Sequence, residues 1–280
     1  MRGFAFGQYY PARSILHRLD PRTKVIAAVV YIVAAFLCKN TVAFGLLLLS
    51  GFVLMLVSHI PMRVILRSVR ALIFIMLFTA LLNIFWVVDT SEGAVPLVEF
   101  WVFTIYPKGI YHAAFILVRI LVMVIGTSLF LTYTTTPIAL TDAIESLLRP
   151  LAKIHVPVHA FAMMMTISLR FIPTIMEETE KIMAAQKARG ADFTQGSLPK
   201  RAKALVPIIV PLFASVFRRA DELATAMECR CYHGGEGRTK LRILKYRVRD
   251  IITLIVMLLF VAAIITINIC GARFGWFYTM

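Results

Sequence analysis

Ile182-Met183-Ala184-Ala185-Gln186-Lys187-Ala188-Arg189-Gly190 and Leu223-Ala224-Thr225-Ala226-Met227-Glu228-Cys229-Arg230-Cys231 are two versions of one pattern: alanine, three residues, then arginine and a small residue. Each closes a run that begins just after a proline, residues 174–189 and 212–230. At the α-helical rise these runs make rods of about 24 and 28 Å. The rest of the chain explains why they matter, because the rest is membrane.

The 280 residues are 60% hydrophobic and 11% aromatic, with the apolar residues in long blocks, which is too greasy for a soluble domain of this size. The formal net charge of +15 follows from arginines and lysines in the loops, as the positive-inside rule expects, and does not point to nucleic acid. Residues 1–20 lack the short apolar core and cleavage site of a signal peptide. Cys38, Cys229, Cys231 and Cys270 show no disulfide spacing, and the middle pair fits a reducing cytoplasm.

An all-α integral membrane protein with five spans is expected. Asp20 reads as an N-cap with Pro21 at the first helical position, where the missing N–H costs nothing. The first two spans, 21–38 and 41–58, form a hairpin that turns at Lys39-Asn40. Arg63, Arg67 and Arg70 mark a cytoplasmic loop, whereas 89–107 carries Asp89, Glu92, Glu99 and Trp101. That asymmetry orients the spans 71–88 and 109–131 and puts the N-terminus inside. The last span, 251–270, leaves the C-terminus outside. The expected regions are a four-span region (1–132), a cytoplasmic region bearing the two rods (133–250), and a final span with its tail (251–280).

Within the cytoplasmic region, 137–151 spaces Ile138, Leu140, Ala143, Ile144, Leu147 and Leu148 as the apolar face of an amphipathic helix, with Asp142, Glu145 and Arg149 between. The apolar run 158–172, with Met163-Met164-Met165, lies under or partly within the bilayer and feeds the first rod. Residues 205–217, with Pro207 and Pro211, do the same for the second. Lys200, Arg201 and Lys203 sit at lipid headgroups between them. The methionines fill a core or form an adaptable docking surface.

No catalytic constellation is present in the sequence. Gly234-Gly235-Glu236-Gly237-Arg238-Thr239-Lys240 lacks the spacing of a phosphate-binding loop and reads as a linker. Cys229, Cys231 and His233 lack a second ligand pair, so no metal is expected. Arg119 stands in mid-span, where a charge costs at least about 2.5 kcal/mol unless paired or hydrated. Packing against an interior carbonyl or Asn83 is favoured for it over a transport role. A lone arginine at a helix end is ordinarily a solvated charge favoured by the helix dipole. Two matched copies, each flanked by small residues, instead suggest slim helix ends that present a planar fork of donors to acidic grooves on a partner.

His17-Arg18-Leu19-Asp20-Pro21-Arg22-Thr23-Lys24, Arg119, Thr134-Thr135-Thr136-Pro137 and the paired arginine motifs together resemble the transmembrane T component of energy-coupling factor transporters, over nearly the whole chain. Ala188-Arg189-Gly190 matches the first family motif as it stands. Cys229-Arg230-Cys231 departs from the second, usually Ala-Arg-Gly or Ala-Arg-Ser, while keeping a small residue and the arginine. The resemblance implies a non-catalytic subunit of an ATP-driven vitamin or micronutrient importer in the cell membrane. Two ABC-type ATPase subunits, holding ATP and magnesium, would receive the rods as coupling helices through Ala188, Arg189, Gly190, Cys229, Arg230 and Cys231. Glu228 and Lys187 would orient neighbours there. One or more small substrate-binding membrane subunits would dock on the amphipathic helix and the Met-rich segment. This chain itself would hold no cofactor.

The competing reading is a self-contained secondary transporter or channel. It expects inverted repeats and polar or glycine-broken spans near the midplane, and beyond Arg119 and Asn83 these spans offer little. A membrane enzyme would need intramembrane nucleophiles or metal ligands that the sequence lacks.

Overall fold

Small residues decide which helix sits in the middle of the bundle. In the computed structural model, which describes residues 9–12, 14–86, 98–100, 103–191, 193, 197–234 and 244–274, α1 (Pro21–Leu37) is the shortest of the bundle helices and the most enclosed. Ala27, Ala28, Ala34 and Ala35 are buried along it. Without bulky side chains on that face, neighbouring helices approach closely, the usual basis of helix packing in a bilayer. The other helices of the bundle are α2 (Thr41–Ser58), α3 (Met62–Trp86), α4 (Pro107–Thr127) and α8 (Val248–Phe274). α4 packs on α1, α2 and α3, and α8 on α1 and α2.

Tyr31 fills the centre. Its ring lies against Phe130 and Phe260, with centroids 6.1 and 6.2 Å away. A Cβ on Gly126 would overlap that ring, so glycine is what lets α4 pass. The outward faces are apolar in a way water would not tolerate: Phe74 is 77% and Leu258 69% exposed. Such faces belong against lipid tails.

Asp20 caps α1 as expected, its carboxylate accepting the Arg22 N–H at 2.9 Å with Pro21 at the first position. The helices α2 and α8 also lie where spans are expected. α3 begins at Met62, so Arg63, Arg67 and Arg70 are on its first turns and not in a loop. α4 continues through a π-helical segment, Ser128–Thr132. A short antiparallel pair, β1 (Val98–Phe100) and β2 (Phe103–Ile105), precedes it in register Val98↔Ile105. The acidic stretch around Asp89 and Glu92, Trp101, and residues 235–240 of the expected linker lie outside the described residues.

Five described helices are long and apolar enough to cross a membrane: Thr41–Ser58, Met62–Phe85, Pro107–Thr132, Val158–Ala188 and Val248–Gly271; the set differs from the five expected spans in containing Val158–Ala188, expected in the cytoplasmic region, and not 21–38. The protein is a multi-pass membrane protein. α1 has 17 residues, about 25 Å, a little short of a hydrocarbon core of about 30 Å.

The chain divides into two compact units, Met1–Ala143 with Leu244–Met280, and Ile144–Ile243. α5 (Pro137–Leu148) runs from the first into the second. The second unit contains α6 (Val158–Ala188) and α7 (Leu198–Cys229). Here the structure corrects the expectation that prolines delimit the rods. Pro173 lies inside α6, and Pro207 and Pro211 inside α7. Each proline removes one backbone hydrogen bond and crowds the preceding turn. The many remaining bonds and the packing of α6 on α7 outweigh this, so the helices are continuous over 31 and 32 residues.

Candidate functional site

Contacts between α6 and α7 run in opposite directions along the two helices. Glu178 accepts from the Ser215 hydroxyl at 2.6 Å and from Arg219 Nη2 at 2.9 Å, while Gln186, further along α6, donates to the Pro207 carbonyl, further back on α7. The helices are therefore antiparallel over this stretch. Their C-termini point to opposite sides of a contact centred near residues 182 and 212. At the helical rise, Arg189 lies about 10 Å beyond that centre and Arg230 about 27 Å beyond it.

The two ends share one backbone geometry. Arg189 (φ −86, ψ 8) and Arg230 (φ −95, ψ 17) are the C-caps. The next residue of each turns left-handed, Gly190 at φ 86 and Cys231 at φ 55. At the first end the Gly190 N–H donates to Lys187 O at 2.9 Å and the Ala191 N–H to Gln186 O at 3.0 Å. At the second the Cys231 N–H donates to Glu228 O at 2.9 Å and the Tyr232 N–H to Met227 O at 3.1 Å. This paired pattern is the Schellman cap, which satisfies carbonyls that a helix end otherwise leaves orphaned. Glycine adopts the required φ freely. Cysteine does not, so the sequence difference at the second end appears as local strain and not as a different shape.

Ala188, Arg189, Gly190, Cys229, Arg230 and Cys231 are all exposed, as are Lys187 and Glu228. Among the described residues no hydrogen bond or ion pair engages the Arg189 or Arg230 guanidinium. Each end is thus a slim turn carrying an exposed arginine beside the negative pole of a long helix. It can donate a bidentate fork to carboxylates or carbonyls on another chain.

Arg119 is bound within the bundle. Its Nη2 donates to the Cys38 carbonyl at 2.9 Å and its guanidinium stands 5.1 Å over the Phe44 ring. The interior carbonyl is therefore one of its partners. Asn83 bonds within its own helix, to Thr79 O at 2.8 Å. Asn268 completes the arrangement at the end of α1, donating to Leu37 O at 2.6 Å and accepting from the Lys39 N–H at 3.3 Å. Asn40 reaches Ile267 O at 3.3 Å, into space kept open by Gly271, where a Cβ would collide with its amide. Cys38, Cys229, Cys231 and Cys270 are all free thiols.

Sequence reasoning left a second constellation unassigned. Lys24 is 2% and Asp250 1% exposed. Lys24 Nζ donates to Thr134 O at 2.7 Å and to His17 O at 3.4 Å. Asp250 accepts the Asp20 N–H on one oxygen at 2.7 Å and the Arg247 N–H on the other at 2.8 Å. An acid three residues inside the start of α8 is the available signal, since that position reaches back to the first N–H of a helix.

Residues 12–241 match the family described as cobalt transport protein, CbiQ. Curated relatives extend the match over nearly the whole chain. The energy-coupling factor transporter transmembrane protein of Clostridium kluyveri is 49% identical over 253 residues, 90% of this chain and 92% of that protein. The Bacillus subtilis protein of the same name is 46% identical over 265 residues, covering 95% and 98%. That of Thermosediminibacter oceani is 44% identical over 276 residues, covering 99% and 100%. With a family match across most of its length and relatives at this identity over nine-tenths or more of both chains, the chain belongs to the CbiQ family of cobalt and energy-coupling factor transporter transmembrane proteins.

Proposed function

We propose that the chain is the transmembrane energy-coupling subunit of an ATP-driven importer for vitamins or other micronutrients. It is non-catalytic: ATP and magnesium are held by two ABC-type ATPase subunits, and one or more small membrane subunits bind the substrate. α6 and α7 are the coupling helices. Their ends, Ala188-Arg189-Gly190 and Cys229-Arg230-Cys231, enter grooves on the two ATPases. The N-terminus lies in the cytoplasm and the C-terminus outside.

The observation that supports this reading best is the duplicated cap. Both helices end in the same Schellman turn, each presenting one exposed arginine, on opposite sides of an antiparallel contact. A surface charge placed for solubility has no need of a matched backbone. Two equivalent contacts on two similar subunits do. The names of the relatives, energy-coupling factor transporter transmembrane proteins, support the same assignment.

The test is gentle detergent purification of the tagged chain from its native cells, with mass spectrometry of what accompanies it. Two ATPase subunits and at least one small hydrophobic protein are expected. A chain that purifies alone and moves a solute in liposomes without ATP would establish a self-contained transporter instead.

A further inference from the structure

The chain leaves the first unit after Ala143 and returns to it at Leu244. Both passages are fastened, just inside the first unit, to the same short N-terminal segment. On the way out, the π-helical turn at Ser128–Thr132 ends in Tyr133, whose carbonyl accepts the Tyr10 N–H at 3.0 Å. The next carbonyl, Thr134, accepts from Lys24 Nζ at 2.7 Å. On the way back, Asp250 holds the Asp20 N–H and the Arg247 N–H, one on each carboxylate oxygen. Asp20 in turn caps the helix that carries Lys24.

This is an expensive way to fix two loops. An ammonium buried to 2% exposure gives up nearly all of its hydration and receives two backbone carbonyls in exchange. The charges of Asp20 and Asp250 compensate it. Apolar packing would close the same gap without that penalty, as replacements of buried ion pairs by hydrophobic residues show. What a buried lysine offers over apolar packing is direction: it specifies which carbonyl lies where.

Resting on the coupling role proposed above, we propose that Lys24 and Asp250 are positioning residues, which clasp the outgoing chain at Thr134 and the returning chain at Arg247 to one N-terminal segment. Movement of the coupling helices then reaches the bundle through both passages together. The clasp makes no contact with ATPase or substrate. Its function is to prevent the covalent connections from absorbing the movement as slack.

The experiment uses the complete complex, purified with its native partners and reconstituted in liposomes. ATP hydrolysis is measured beside accumulation of radiolabelled riboflavin, biotin, folate and cobalt(II), on wild type and on Lys24→Met, Lys24→Arg and Asp250→Asn. Both rates are expressed per assembled complex, so a lower yield does not enter. The expected result is hydrolysis within about twofold of wild type and a tenfold or greater fall in probe accumulated per ATP in Lys24→Met. Lys24→Arg, which keeps a cationic donor, recovers part of it. Asp250→Asn, which keeps one acceptor oxygen of two, falls between. An unchanged ratio in Lys24→Met overturns the clasp and leaves the coupling role standing. So does failure of both Lys24→Met and Asp250→Asn to assemble, because the network then only holds the fold. A wild-type complex that hydrolyses ATP and accumulates neither these probes nor any solute of a complete growth medium, assayed by mass spectrometry of the liposome contents, overturns both readings.

Discussion

Gln186 reaches from α6 to the Pro207 carbonyl of α7 at 3.5 Å, and that carbonyl is the one Pro211, four residues on, has no N–H to satisfy. The proline that weakens one helix thereby creates the acceptor that joins it to the other. In a helix interior proline costs about 3 kcal/mol relative to alanine. Pro211→Ala restores the internal donor, and amide exchange through residues 207–215 is expected to slow by tenfold or more. Exchange that stays at the wild-type rate would show that the helix is not weakened there.

The exposed arginines contribute little to folding, because neither guanidinium engages a described residue. Arg189→Ala and Arg230→Ala are therefore expected to leave the yield and melting temperature of the isolated chain unchanged. Each should reduce coupled ATP hydrolysis and uptake, and the double variant should reduce uptake at least tenfold with loss of co-purifying ATPase. Unchanged uptake in the double variant excludes these ends as the coupling contacts.

Cys231 holds a left-handed conformation that costs a residue with a Cβ about 1–2 kcal/mol. Cys231→Gly removes that cost and leaves the cap bonds in place. A rise of a few degrees in the thermal midpoint is expected, with uptake retained. Gly190→Ala is the mirror experiment and should lower it by a similar amount. A midpoint that falls in Cys231→Gly would mean the thiol makes a contact worth more than the strain.

The architecture was largely readable from the residues because a bilayer permits few arrangements. Apolar runs bounded by Asp20-Pro21, by Lys39-Asn40 and by charged loops leave little besides helices. Three things were not readable. Pro173, Pro207 and Pro211 looked like boundaries because local propensity says so, and the α6–α7 packing that overrides it is a long-range property. Arg63, Arg67 and Arg70 looked like a loop because charge marks the membrane edge, yet a helix crosses that edge without unwinding. The Lys24–Asp250 network joins residues more than two hundred positions apart, and no local pattern announces such a pair. At the candidate site the two arginines were found from a repeat in sequence. That the repeat is also one of backbone geometry needed φ angles, above all at Cys231.

His17 gives the N-terminal segment a pH response. Burial pushes its imidazole below the usual histidine range, against the opposing pull of the Tyr10 carbonyl 2.9 Å from Nε2, and nearby Lys24 pushes it lower still. Because a carbonyl can only accept, Nε2 carries the proton of the neutral ring, and Nδ1 faces the Ser14 hydroxyl at 2.7 Å. A histidine held neutral in the fold contributes stability that is fully present above its unfolded pKa of about 6.5. That contribution is lost as pH falls from there through the lower folded value. The thermal midpoint should therefore decline on acidification below about pH 6.5, and His17→Gln should flatten this decline. An identical pH profile in His17→Gln would assign the acid sensitivity elsewhere.

Arg119 is the last residue whose role the structure narrows. Its guanidinium serves the Cys38 carbonyl at the end of α1, where the chain turns and the helix supplies no donor, and it gains further from the Phe44 ring beneath it. Deleting the donor would leave a carbonyl without its side-chain partner in an apolar surrounding, at a cost of about 1–3 kcal/mol. The loss would fall on the helix around which the bundle packs. Arg119→Leu is thus expected to lower the yield of folded chain and of assembled complex together, with uptake per assembled complex close to wild type. Arg119→Lys, which keeps one donor but not the planar overlap with the ring, should recover part of the yield. The opposite pattern, normal assembly with uptake per complex reduced tenfold, would make Arg119 part of the transport machinery, since a residue that only satisfies a helix end has no means of changing rate without changing stability.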